Sequence, residues 1–342
     1  MRSVSFLLFS VVLSATALIG CGGSTAATSP PPPPPPTTGS LYAINGITST
    51  VLRFDAGANG NVSPQAMIKG AATQIMGAAS LMTDAVNDRL FVSDFQTSSI
   101  LVFDHASTKA GNVVPDRIIS GAATTLHSQG DLVLDRANDQ FYVNNTFSNN
   151  ILVFGSASTI NGNVAPTRII NTGFIPGSMT LDAGSNRLFL TTSNSIMIYD
   201  GASTLNGTVT ANRMISGAST QLDFPGAMQL DGSGRLFVGN GTPVHGTQSI
   251  LIYANAGSAN GNVVPSAVIA GPNTMLDNQI GLALPPSGEI FVGQFFNVLV
   301  FAPAATANGN ISPVRVLAGD KTGLFTTPGF GNVTGMTVDP NH

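Results

Sequence analysis

The chain has no tryptophan, one cysteine, one glutamate and little charge of either sign: Asp, Glu, Lys and Arg make up 9% of its 342 residues, against roughly 25% in an ordinary soluble domain. Each shortage excludes something. A single cysteine forbids an internal disulfide, so stability has to come from a buried core. Thirteen basic against seventeen acidic residues, a net charge of −4, exclude the basic stripe that nucleic acid requires. Low charge together with 43% hydrophobic residues excludes a disordered chain, and 38 glycines without a three-residue period exclude collagen. Long apolar runs are missing too. Phe6 to Ile19 is shorter than the roughly 20 apolar residues of a membrane-spanning helix, and behind Met1-Arg2 it has the pattern of a signal-peptide core.

That run ends in Leu18-Ile19-Gly20-Cys21, which closely resembles a bacterial lipoprotein lipobox. The resemblance implies removal of residues 1–20, a lipid on Cys21 and attachment to a membrane through it. Gly22, rather than Asp, follows the cysteine, which in a Gram-negative envelope implies the outer membrane. Residues 21–40 form a low-complexity tether with seven consecutive prolines, Pro30 to Pro36. At about 3.1 Å per residue in polyproline II, that run is a semi-rigid spacer of roughly 20 Å. Residues 41–342 are the folded body.

The body repeats itself. A four-residue apolar strand ending in an aromatic ring starts at Val51, Ile100, Ile151, Ile196, Ile250 and Val298, at intervals of 49, 51, 45, 54 and 48 residues. A glycine-centred dipeptide follows each copy: Gly60-Asn61, Gly111-Asn112, Gly162-Asn163, Gly207-Thr208, Gly261-Asn262 and Gly309-Asn310. Between these landmarks lie short runs of β-branched and aromatic residues bounded by Gly, Asn, Asp and Pro, the pattern of strands and tight turns. One copy reads Asp131–Asp135, Gln140–Asn144, Ile151–Phe154 and Arg168–Ile170. Four strands every 50 residues predict an all-β, six-bladed β-propeller of four-stranded antiparallel blades. The last copy stops after a first strand, Gly335–Asp339, and the body opens with a second strand, Leu41–Asn45. The sixth blade is therefore expected to close by N-terminal strands pairing with the C-terminal strand, which leaves no open edge. The repeat Gly-Asn-Val-x-Pro-x-Arg-x-Ile, then Leu-Asp, Leu-Phe-Val and Ile-Leu-Val-Phe, resembles NHL-type and YncE-like bacterial propeller repeats over the whole body.

Comparing the copies separates blade residues from candidates for function. Asp84, Asp135, Asp182, Asp231 and Asp339 recur after the first strand and are expected to accept from turn amides. Arg117, Arg168, Arg213 and Arg315 recur on the outer strand, where they are expected to cover edges. Phe91, Tyr142, Phe189, Phe237, Phe291 and Tyr42 are expected in the core between blades. On the loops entering the inner strands, one position holds Met76, His127, Asp223, Asp277 and Phe325. At the ends of the second strands stand Asn45, Asp94, Asn145, Thr192, Asn240 and Gln294. Ringing one channel mouth, their oxygens would suit Ca²⁺ or another divalent cation, with His127 admitting a transition metal. Alternatively they are turn-formers around a water-filled channel.

No His-x-x-x-His, cysteine pair or Gly-x-Ser-x-Gly elbow is present. Gluconolactonase-type propellers hold a catalytic metal with a Glu, Asn and Asp set, and the single glutamate, Glu289, starts a second strand away from the mouth. His245, in the longest loop, reads as a surface residue. The sequence therefore favours a non-catalytic, lipid-anchored, monomeric scaffold of the cell envelope that binds a protein or an envelope glycan. Two alternatives stand: a metal-dependent lactonase or hydrolase at the channel mouth, and an envelope-assembly factor.

Overall fold

The computed structural model describes residues 39–241, 248–277, 281–327, 330–331 and 333–342. The signal segment, Cys21, nearly all of the tether and His245 lie outside these residues. Six blades of four antiparallel strands follow one another around a central channel, and a two-residue strand, Gly207–Thr208, adds a fifth, parallel strand to the sheet of the second blade. Blade 1 runs outward from the channel as Ala78–Asp84, Arg89–Asp94, Ser99–Asp104 and Arg117–Ser120. Blades 2 to 5 begin with the inner strands Gln129–Asp135, Met179–Asp182, Met228–Leu230 and Gly281–Ala283. Blade 6 takes its inner strand, Val333–Asp339, from the C-terminal part and the rest, Ser40–Asn45, Thr50–Asp55 and Ala66–Ile68, from the N-terminal part. The seam pairs Ser40 with Asp339 and Leu41 with Val338. The ring closes as its two incomplete ends require.

The third strands carry nearly continuous apolar runs, such as residues 100–103 and 151–154, because both of their faces are covered. Ile100 and Val102 pack with blade 2, whereas Leu101 and Phe103 pack with blade 6. The core is accordingly divided into six clusters, one per interface between neighbouring blades. Tyr42, Phe91, Tyr142, Phe189, Phe237 and Phe291 are all buried, one in each cluster.

Polar latches tie the interfaces. In the Gly-Asn dipeptide the glycine pairs with the outer strand of the preceding blade, as Gly162 does with Ile119. The asparagine side chain accepts from the turn beyond that strand: Asn163 from the Ala123 N–H at 2.8 Å, Asn112 from Ala72 at 2.8 Å, and Asn61 from Lys321 at 2.8 Å. The turn approaches so closely that its first residue is glycine, Gly121, at φ 112°. A Cβ there would lie 2.6 Å from the Asn163 side chain. Where the outer strand ends in Asn171-Thr172 instead, the next blade carries Thr208 in place of asparagine, and the two strands pair through both residues, Ile170 with Gly207 and Asn171 with Thr208. Gly121→Ala is expected to lower Tm by roughly 3–10 °C, from about 1–3 kcal/mol of backbone strain in a region reserved for glycine; a thermal melt followed by circular dichroism checks it.

The arginines do more than cover edges. Arg117 donates to the Ala157 and Ile160 carbonyls of blade 2, and Arg168 to those of Ala202 and Leu205 in blade 3. Arg315 reaches Ala56 across the seam. Each of these three stacks its guanidinium on the buried ring of its own blade, Phe91, Tyr142 or Phe291. Blade 4 has Ala267 at this position, and Arg235 of its second strand supplies the same tie to Ala304 and Ala305. Arg213 instead forks onto Asp200 within its own blade.

Candidate functional site: the loop face and the channel

The loops entering the inner strands and those joining second to third strands share one face. The residues expected to ring its mouth fall into two groups. Asn45, Asp94, Asn145, Asn240 and Gln294 are buried at the strand ends, and their side chains clasp backbone. Asp94 accepts four times, from the Met76 and Gly77 amides and from the Thr97 amide and hydroxyl. Asn145 accepts from the His127 amide at 2.7 Å, Asn240 from that of Asp223 at 2.7 Å, and Gln294 from that of Asp277 at 2.5 Å. The same side chains donate back to Thr125, Gln221 and Met275, two residues earlier in each loop. Asn45 accepts from Ile47 and Thr48 and donates to the Gly323 carbonyl. Thr192 bonds within its own turn to Ser195, and in that blade Thr191 accepts from the Ser178 amide.

Every oxygen of this first group that was a possible cation ligand holds a loop in place. The side chains on those loops, His127, Asp223 and Asp277, are partly or fully exposed and are spread over blades 2, 4 and 5. His127 stacks on Phe147 at 5.2 Å between ring centres. Phe325 lies against Phe296, which in turn meets Phe295. Glu289 is buried in an ion pair with Arg315. Among the described residues, one group of His and carboxylates lies close enough to share an ion, Asp88, Asp339 and His342 on the opposite face. There the Asp88 oxygens already accept from the Ser107 amide and hydroxyl.

Two features of the face were not singled out from the sequence. The first is apolar. Ile47, Met76, Phe95, Phe147, Ile175, Phe224 and Met275 are all well exposed on the loop face, Phe147 at 72%. Phe224 is held at φ 48°, unusual for a bulky residue, while its N–H donates to the Ser193 carbonyl in the neighbouring blade.

The second is a carboxylate in the channel, a cavity of about 650 Å³ lined by the inner strands. Asp131, one residue before Leu132, occupies the position held elsewhere by Ser80, Ser178, Ala227, Gly281 and Gly335. One oxygen accepts from the Ser80 hydroxyl at 3.1 Å and the Leu132 amide at 3.0 Å. The other accepts from the Ser178 hydroxyl and the Met179 amide, both at 2.9 Å. The carboxylate thus joins three blades. Burial pushes the Asp131 carboxyl above its ordinary value, and the four donors pull against that shift.

With this geometry in place, the chain can be set beside known proteins. No family model matches the sequence, and no curated protein is similar to it. Among solved structures, a chain in the crystal structure of a nidogen/laminin complex has a TM-score of 0.60 at 14% identity, covering 89% of this chain and 99% of that one. The likeness is one of fold.

Proposed function

We propose that this protein is a non-catalytic binding module of the bacterial cell envelope, an NHL- or YncE-like propeller anchored to the outer membrane through a lipid on Cys21, and that its loop face receives a protein partner. The exposed rings and aliphatic chains of that face carry the reading. A packed scaffold holds Phe95, Phe147 and Phe224 outward in loops whose backbone is clasped from below. Fixed aromatic side chains on such loops are the usual anchors of protein contacts. A similar fold occurring in a nidogen/laminin complex supports use of the propeller as a docking platform. The lipobox-like Leu18-Ile19-Gly20-Cys21 and the proline-rich tether support the anchor.

The test is photocrosslinking in cells from positions 47 and 175, which are exposed on the same face, followed by purification from membranes. One stoichiometric partner is expected, with capture falling about 100-fold or more in the Phe95→Ser, Phe147→Ser, Phe224→Ser variant, since central anchors contribute about 2 kcal/mol or more each, though not additively. Val86→Ser, on the opposite face, should leave capture unchanged. Exchanging residues 1–21 for a secretory signal that is cleaved without lipidation should move the protein from the membrane to the soluble fraction. Equal capture by the triple variant would overturn the docking face, and an unchanged membrane fraction would overturn the anchor.

A further inference from the structure

Asp131 is the one ionisable side chain among the described residues that line the channel. It is surrounded by protein yet partly open to the cavity. The six equivalent positions of the inner ring are unequal. Ser80 and Ser178 flank Asp131, and across the channel stand Ala227, Gly281 and Gly335, which carry at most a methyl group. Open space therefore faces the carboxylate. The two serine hydroxyls donate to it and keep lone pairs of their own as acceptors; with the Leu132 and Met179 amides they give each carboxylate oxygen two donors, so a cation here is held by the charge and by the hydroxyl oxygens. This wall is negative and accepts hydrogen bonds, and it has no cationic side chain to offset the burial of its charge.

We propose that the channel is a binding site for a primary ammonium group, seated against Asp131 between Ser80 and Ser178. A single ammonium matches the single negative charge, and its N–H groups find acceptors in the Ser80 and Ser178 hydroxyl oxygens. One carboxylate is a poor set for a divalent cation, which gathers six to eight oxygens, commonly several of them charged. The group can belong to a free amine or to a lysine side chain. The site lies inside the channel and does not depend on what docks at the loop face.

The experiment is an NMR titration of the folded protein with n-butylammonium and, separately, with a lysine blocked at both its amino and carboxyl termini, following the Leu132 and Met179 amides. Saturable shifts are expected at both amides with n-butylammonium, and none with n-butanol or tetramethylammonium, which lacks N–H donors. Shifts with the blocked lysine as well would show that the channel admits a side chain, whereas shifts with n-butylammonium alone would restrict it to free amines. Asp131→Asn should weaken binding about tenfold or more, because it removes the opposing charge in a site partly shielded from water. Should that variant fail to fold, the Asp131 carboxyl carbon of the wild type decides: its titration must move to lower pH when n-butylammonium is present. No saturable shift, equal saturation by potassium or tetramethylammonium, unchanged affinity in Asp131→Asn, or an unmoved carboxyl titration would each overturn the proposal.

Discussion

Arg315→Ala is expected to lower the melting temperature by roughly 6–15 °C, because breaking a buried ion pair from one side costs about 3–5 kcal/mol. The Arg315 and Glu289 side chains are 13% and 2% exposed, and the pair sits where blade 5 meets blade 6. Arg315 also donates to the Ala56 carbonyl across the seam and stacks on Phe291. The substitution therefore removes a cation from beside a buried carboxylate and a tie between the two halves of the closing interface. Removing both charges is a different perturbation. Arg315→Met with Glu289→Gln takes away the charge and its counter-charge together, and is expected to recover most of the loss. Melts of Arg315→Met, Glu289→Gln and the double variant complete a cycle that separates pairing from packing. A drop below 2 °C in Arg315→Ala would show that the pair contributes little.

Deleting residues 333–342 is expected to abolish cooperative unfolding altogether. The segment supplies the inner strand of blade 6 and places Val333, Met336 and Val338 in the cluster that spans blades 5 and 6. At about 1.5–3 kcal/mol for each buried side chain, their loss alone rivals the 5–15 kcal/mol that holds a typical domain folded. The deletion also strips the ladder from Ser40–Asn45 and opens a ring whose design depends on having no edge. A synthetic peptide of residues 333–342 should restore a melting transition when added to the shortened chain. A cooperative melt without the peptide would show that five blades and a remnant suffice.

The fold was legible because six imperfect copies of one unit share a chain. Period, strand signals and complementary ends agreed, and the apolar third strands, which read as continuous runs, proved to be covered on both faces. The Gly-Asn dipeptides were legible as turns and illegible as latches, since their partners lie in the preceding blade roughly 40 residues away, as Asn163 and Ala123 do. The mouth was harder. Asp94, Asn145, Asn240 and Gln294 recur where oxygen ligands would stand, but the lone pairs that suit a cation also suit backbone amides, and residue type alone does not separate the two uses. Asp131 was within reach. Writing the six inner strands one above another from Leu132 and its equivalents shows a carboxylate among serine, alanine and glycine, a departure hidden while Asp131 was read as the ordinary start of a strand.

The seam also decides how the molecule responds to force. Ser40 and Asp339 are direct partners at the same end of an antiparallel pair, so tension applied between the two ends of the propeller pulls across the strands and not along them. Its hydrogen bonds then break one after another, starting at Ser40, instead of being sheared together. A load carried between these ends peels the closure open at low force, while the same load entering through the loop face and leaving through Ser40 bypasses that peeling geometry.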